Sequence, residues 1–145
     1  MIPSFDNSGN LPPGIHEADW DELETRFNDR RRVKLFRGLR EALVALREAG
    51  CRTVYIDGSF VTAKEDPGDF DACWEAVGVD ASLLDPIFLD LAAPRMAQKE
   101  RFGGELFPAS FVADPKSRAR FLDFFQRDRD GEPKGIIQID LEGLT

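Results

Sequence analysis

The sequence predicts a single mixed α/β domain, of the α+β kind, in which a small mixed β-sheet is flanked by helices. The chain has 145 residues, the usual size of one domain with its own core. Hydrophobic residues make up 42% of the chain and charged residues 32%, which is typical of a globular protein. Segments with helical periodicity alternate with short β-branched runs, and no internal repeat or linker divides the sequence.

The N-terminal segment, residues 1–14, is rich in Pro, Gly, Asn and Ser and is predicted to be an extended arm. The domain itself is then expected over residues 15–145. The first residues lack the basic and apolar regions of a signal peptide, and no apolar run approaches the length of a membrane helix. We therefore expect a cytoplasmic protein with no membrane partner.

Two helices are predicted after the arm. The first begins near Asp19, because Glu22 follows at the spacing of a capping box. The second covers residues 30–49, where leucines recur at the helical period. Gly50 follows this segment directly, as expected for the residue that ends a helix.

Three strands are predicted from runs of β-branched and aromatic residues. The first covers residues 53–57 and is followed by a tight turn at Gly58 and Ser59. The second covers residues 69–75, and the third covers residues 135–141. These strands form the core of the expected sheet.

The segment between the second and third strands is predicted to be mainly helical. Residues 80–91 have a helical pattern that Pro86 interrupts, and residues 94–102 form another short helix. The pattern over residues 105–113 is ambiguous. A further helix is expected from residue 114 through residue 125, because an Asp-Pro pair at its start combines a cap with a first-turn proline.

Charge and cysteine content exclude two classes of site. The net charge of −8 disfavours binding to duplex DNA, which needs a broadly basic face. Cys51 and Cys73 lack metal-binding spacing and the chain has one histidine, so a structural zinc site is not expected. The basic run of residues 30–40 fits either an RNA or partner surface or a solvated helix face.

Side-chain alternation places three acidic residues on the same side of the sheet. Asp69 and Asp71 lie two residues apart, so they point to one face of the second strand. The residues between and after them form the apolar face of that strand: Phe70, Ala72 and Trp74. In the third strand Ile137, Ile139 and Leu141 form the apolar face, and Asp140 lies on the opposite face. If the two strands are neighbours, we expect Asp140 to meet Asp69 and Asp71.

Three clustered carboxylates indicate a divalent-cation site, because they repel one another unless a cation neutralises them. Mg²⁺, or Mn²⁺ in its place, suits carboxylates that share a site with phosphates. Gly58 allows a close backbone approach to phosphate, and Ser59 adds a hydroxyl and amide donors. A nucleoside triphosphate (NTP) is the expected substrate. Lys64 either neutralises its γ-phosphate or is an exposed loop lysine.

The same residues carry a family resemblance. A Gly-Ser step at Gly58 and Ser59, a gap of nine residues, the acids Asp69 and Asp71, and a later strand acid resemble the DNA polymerase beta-like nucleotidyltransferase superfamily. The sequence is most similar to the minimal, single-domain bacterial members. The resemblance implies that Asp69 and Asp71 bind metal. It also implies that Asp140 completes the site and activates the acceptor hydroxyl, while Gly58 and Ser59 hold the triphosphate.

Two longer strings, residues 58–64 and 103–108, resemble an uncharacterised bacterial family over most of the chain. Two positions depart from the superfamily pattern. Asp57 stands where an apolar residue is usual, and Gly68 stands where a serine is frequent. The departures bear on catalytic competence more than on the fold.

The resulting hypothesis is a metal-dependent nucleotidyltransferase that moves a nucleoside monophosphate from an NTP to a hydroxyl of a protein or an RNA. By resemblance, the context is a bacterial toxin–antitoxin or defence pair, with a partner protein supplying part of acceptor recognition. The alternative is a catalytically inactive module of the same fold, antitoxin-like or regulatory.

Overall fold

A five-stranded mixed sheet forms the centre of the computed structural model, which describes residues 1–91 and 96–144. The strands are β1 (Gly14–Ala18), β2 (Thr53–Asp57), β3 (Phe70–Trp74), β4 (Gly104–Pro108) and β5 (Gly135–Asp140). Their order across the sheet is β1-β5-β2-β3-β4. The outer pairs, β1 with β5 and β3 with β4, are parallel, whereas β2 is antiparallel to both of its neighbours. The predicted fold class is confirmed.

In the described part of the chain, four α-helices accompany the sheet: α1 (Trp20–Phe27), α2 (Val33–Glu48), α3 (Met96–Phe102) and α4 (Phe121–Phe124). Three single 3₁₀ turns lie at Ser59–Val61, Pro86–Leu89 and Leu141–Gly143. The longest helix is α2, with 16 residues. Within residues 1–91 and 96–144, no helix combines the length and the apolar character needed to cross a membrane.

The first two helices follow their sequence signals. The Asp19 side chain accepts a hydrogen bond of 2.7 Å from the Glu22 amide, which caps α1 as predicted. Helix α2 begins at Val33, three residues after the predicted start, and ends before Gly50. Gly50 has a φ of +100°, a backbone conformation that L residues rarely adopt.

The N-terminal region holds a strand that the sequence did not predict. Strand β1 lies at the edge of the sheet and is largely exposed, so it lacks the apolar alternation that marks a strand. The preceding arm has no regular structure, yet Ile2 and Leu11 are buried in the main core. The arm therefore packs as part of the domain.

Two predicted helices are wrong in type or extent. Residues 80–91 form turns and the 3₁₀ segment at Pro86–Leu89, because proline cannot continue a preceding helix. The helix expected from residue 114 is reduced to α4, since Arg118 has a φ of +63° and interrupts any helical run before it. In the helix predicted over residues 94–102, residues 94 and 95 lie outside the described residues and α3 begins at Met96.

The two faces of the sheet are covered differently. The first face packs against α1, α2 and α3 in one large apolar core; its strand residues are Val54, Ile56, Phe70, Ala72, Trp74, Leu106, Ile137 and Ile139. The second face carries a smaller cluster under α4, made of Tyr55, Cys73, Phe107, Ala109, Phe125 and Ile136. The predicted apolar faces of β3 and β5 are confirmed. The second face leaves room for polar groups beside its small cluster.

Candidate functional site

A row of acidic side chains crosses three adjacent strands on the second face. Asp57, at the end of β2, is paired in register with Asp71 of β3, and Asp71 is paired with Glu105 of β4. Residues in register on neighbouring strands point to the same face, with Cβ atoms about 5 Å apart. Asp69 lies just before β3, two residues from Asp71 and on the same side. We call these four residues the acidic row.

Two lysines neutralise the ends of the acidic row. Lys134 Nζ lies 3.1 Å from Asp57 Oδ1, and both side chains are largely buried. Lys99 Nζ lies 3.0 Å from Glu105 Oε1 and 4.0 Å from an oxygen of Asp69. Within the described part of the chain, no ion pair of 4.0 Å or less is made by the central Asp71.

Burial and repulsion make the centre of the row electrostatically strained. Burial raises the pKa of Asp71 to about 7, and the charges of Asp69, Asp57 and Glu105 add to the effect. Burial also raises the pKa of Asp57, although the nearby Lys134 ammonium opposes that shift. A cation placed at Asp71 would relieve the repulsion and favour its ionised form.

The turn after β2 brings backbone against the acidic row. Gly58 has a φ of +79°, a conformation that favours glycine. A Cβ at this position would lie 2.9 Å from Asp71 Oδ2, so only glycine fits without displacing the carboxylate. The 3₁₀ turn begins directly afterwards at Ser59, whose carbonyl accepts hydrogen bonds from the Thr62 amide and hydroxyl. The predicted tight turn is confirmed.

A buried arginine holds this turn from below. Arg32 is 4% exposed and its guanidinium donates to the carbonyl oxygens of Phe60, Thr62 and Lys64, at 3.1, 3.1 and 2.6 Å. It also forms an ion pair of 2.7 Å with Asp29. A planar guanidinium can reach several carbonyls at once, which a lysine ammonium cannot. Arg32 therefore fixes the path of the chain after Ser59.

One residue of the basic run, Arg32, is buried, whereas its basic neighbours in the run are exposed or partly exposed. Its neighbour Arg31 is half-exposed and pairs with Glu65 at 3.2 Å, in an ion pair open to solvent. Arg32 is turned inward by its three carbonyl partners. The run therefore contains one buried anchor among exposed basic residues, which are Arg30, Arg31, Lys34 and Arg37.

A cleft of about 870 Å³ contains most of the predicted site residues. It is lined by five of the six residues singled out from the sequence: Gly58, Ser59, Lys64, Asp69 and Asp71. Three further basic residues contribute to the lining: Arg127, Arg129 and Lys134. The cleft thus joins carboxylates to a surround of cations, an arrangement suited to a phosphate-bearing ligand with a divalent metal.

Asp140 lies away from this cleft, which corrects the prediction that it meets Asp69 and Asp71. Asp140 is paired with Thr53 at the start of β2, whereas Asp71 is paired with Asp57 at its end. At about 3.3 Å per residue these positions are roughly 13 Å apart along the strand. Alternation assigned Asp140 to the correct face, but the strand register places it at the opposite end.

Buried side chains lie between Asp140 at one end of β2 and the acidic row at the other. Tyr55, Cys73 and Phe107 occupy the register positions between them and are 8, 0 and 5% exposed. Asp140 instead accepts a hydrogen bond of 2.9 Å from the Glu142 amide and caps the last 3₁₀ turn. Extending the register of β2 and β5 by one residue places the apolar Ile136 opposite Asp57.

Asp57, Glu105 and Lys134 are site residues that the sequence prediction did not include. Asp57 departs from the superfamily pattern, and from the sequence it fits either an extra group near the metal or one that repels phosphate. Its alternation with Tyr55 could have placed it on the second face, beside Asp71. From the sequence, Glu105 beside Gly103 and Gly104 is a candidate site residue for which a turn acid is the favoured interpretation. The place of Lys134 depends on the pairing of distant strands.

Comparison with known proteins identifies a family but does not assign an activity. No curated protein and no solved structure matches the chain. A family model described as a family of unknown function, DUF6932, matches residues 3–140, which include the whole acidic row and the Gly58 turn. Because this match spans nearly the full length, the chain belongs to the DUF6932 family.

Proposed function

We propose that this protein is a metal-dependent nucleotidyltransferase that moves a nucleoside monophosphate from an NTP to a hydroxyl of a protein or an RNA. One observation carries the proposal: Gly58 and Asp71, an acid that makes no ion pair with the residues that the structure describes, face each other inside one cleft. The turn offers backbone donors for phosphate, and the acid offers a ligand for a cation.

The residues present fit a divalent cation, Mg²⁺ or Mn²⁺. Among residues 1–91 and 96–144, no group of three or more acidic, cysteine or histidine side chains is arranged to hold a metal by itself. Mg²⁺ in nucleotide enzymes needs only one or two carboxylates, with phosphate oxygens and water as its other ligands. Asp69 and Asp71 would supply these carboxylates. The bound ion would neutralise charge on the phosphates and on the leaving pyrophosphate.

The basic residues of the cleft would orient the triphosphate. Ser59 lines the cleft beside the acidic row, and Arg32 holds the turn in place from the protein interior. Lys64 lines the same cleft as Asp71 and would attract the phosphate tail.

A carboxylate is also needed to accept the proton of the attacking hydroxyl. Asp140 is at the other end of β2, so we assign this role to Asp57, which is paired in register with Asp71. Burial raises the pKa of Asp57, which improves a carboxylate as a proton acceptor. Lys134, 3.1 Å from Asp57, would keep its carboxylate oriented.

The second candidate function is nucleotide binding without transfer, in a regulatory or antitoxin-like module. Two observations favour it. Ile136 occupies the position opposite Asp57 where a further acid could have stood, and Lys134 already neutralises Asp57. Either function requires that the cleft binds an NTP.

Label transfer from NTPs tests both candidates. The protein is incubated with labelled NTPs, Mg²⁺ or Mn²⁺ and a cell extract, beside the variants Asp69→Asn, Asp71→Asn and Asp57→Asn and the control Asp140→Asn. Transfer that is lost in the first three variants and kept in the control supports the enzyme. Metal-dependent nucleotide binding without transfer supports the module. The absence of both binding and transfer contradicts both candidates.

A further inference from the structure

The cleft extends beyond the groups that would hold phosphates. Its volume of about 870 Å³ is at the large end for a small-molecule site. The acidic row and the Gly58 turn form one part of its lining, and residues of α4 and the segment that follows form another. A nucleotide bound by its phosphates would have its base in this second part.

An exposed aromatic ring lies in that second part. Phe124 of α4 is 48% exposed and lines the cleft, whereas the adjacent Phe125 is 7% exposed. Exposure alone does not distinguish Phe124 from other surface aromatics such as Phe111, whereas its place in the cleft lining does. Arg127 and Arg129 line the same part of the cleft. Arginine beside an aromatic ring is a common setting for a nucleic-acid base.

The ring of Phe124 is supported by a packed aromatic cluster. Phe107 and Phe121 are stacked, with ring centroids 4.1 Å apart and planes 10° apart. Phe121 contacts Phe125 at 5.7 Å, and Phe125 contacts Phe124 at 6.1 Å. Phe107 belongs to β4, so this cluster connects α4 to the sheet. Phe124 is therefore joined to the sheet through a continuous set of aromatic contacts.

We infer that Phe124 forms a stacking surface for the base of the bound nucleotide. The inference rests on the proposed function, because it assumes that the phosphates occupy the Gly58 end of the cleft. It assigns the second part of the cleft to a planar aromatic group. Stacking depends on a π-face that every base has, so Phe124 contributes affinity for all four NTPs and little selection among them.

The test compares nucleotides with tripolyphosphate, which has the phosphates and lacks the base. Calorimetry in the presence of Mn²⁺ measures the dissociation constants of the four NTPs and of tripolyphosphate for the wild type, Phe124→Leu and Phe124→Trp. Phe111→Ala is the matched control, since Phe111 is 47% exposed and is not part of the cleft lining. Leucine keeps apolar bulk without a ring, and tryptophan keeps a ring.

Phe124→Leu is expected to weaken NTP binding about tenfold, the usual loss when one base loses its stacking partner. Tripolyphosphate binding stays unchanged in this variant, and both Phe124→Trp and Phe111→Ala bind NTPs as the wild type does. Equal NTP affinity in Phe124→Leu and the wild type overturns the stacking surface alone. Equal loss for NTPs and tripolyphosphate also overturns it. A wild type that binds neither probe overturns the proposed function together with it.

Discussion

The second face of the sheet carries acidic residues at both ends of β2, and the two ends differ in their electrostatics. At the Asp57 end, four carboxylates crowd together and burial raises the pKa of Asp71 to about 7. At the Thr53 end, Asp140 is exposed and accepts a backbone hydrogen bond. The first arrangement costs folding free energy, and the second stabilises a chain turn. Carboxylates whose pKa values are raised by burial and mutual repulsion are typical of functional sites, so we expect function at the Asp57 end of β2.

The largest expected loss of stability concerns the anchor beneath the Asp57 end. Arg32→Gln should lower the free energy of unfolding by about 3 kcal/mol, because it removes a buried charge with several hydrogen bonds. Arg31→Gln is the matched control, since its ion pair with Glu65 is exposed and should contribute less than about 1 kcal/mol. Urea denaturation measures both. Equal losses in the two variants would show that Arg32 does not act as an anchor.

The next prediction is a substitution at Asp71 that increases the free energy of unfolding instead of lowering it. Between pH 4 and 7 the folded protein keeps the Asp71 proton that the unfolded chain has released. The free energy of unfolding therefore falls as pH rises through this range, and the loss is complete above pH 7. Asp71→Asn removes this loss, so at pH 8 the variant should be more stable than the wild type by up to about 4 kcal/mol.

Urea denaturation at pH 4.5 and at pH 8 checks this prediction. The stability difference between Asp71→Asn and the wild type should be small at pH 4.5, where both carry a neutral side chain. A variant that is less stable than the wild type at pH 8 would show that the Asp71 carboxylate is not strained.

The smallest effect is expected at the Thr53 end. Asp140→Ala removes the acceptor for the Glu142 amide and should lower the free energy of unfolding by about 1 kcal/mol. Asp140→Asn keeps an acceptor and should be close to the wild type. Thermal unfolding at pH 7 distinguishes them. If Asp140→Ala instead stabilised the protein, the Asp140 carboxylate would be electrostatically unfavourable, as the acidic residues at the Asp57 end are.

Local features of the fold could be predicted, because they depend on neighbouring residues. The cap at Asp19, the end of α2 at Gly50 and the apolar face of β3 each follow from spacing within a few positions. The edge strand β1 could not be predicted, because most of its side chains are exposed and its sequence therefore shows no alternation of apolar and polar residues. The helix expected from residue 114 failed because a single left-handed residue, Arg118, interrupted it.

In the candidate site, too, the sequence predicted local features but not those that depend on distant residues. The Gly58 turn and the shared face of Asp69 and Asp71 are local, and the structure brings these residues into one cleft. The place of Asp140 depends on the register of two strands about eighty residues apart in sequence, which alternation does not determine. For the same reason Lys134 could not be assigned to the site, and the sequence could not distinguish Glu105 as a site residue from a turn acid.

Metal-dependent nucleotide binding tests the central claim most directly. Calorimetry with Mn²⁺ and each of the four NTPs compares the wild type with Asp69→Asn, Asp71→Asn and Asp140→Asn. We predict that the wild type binds at least one NTP and that the first two variants lose about a hundredfold or more in affinity, the scale of one lost charged ligand (about 3 kcal/mol). Asp140→Asn should bind as the wild type does. Loss of binding in Asp140→Asn equal to that in Asp71→Asn, or a wild type that binds no NTP, would contradict the account.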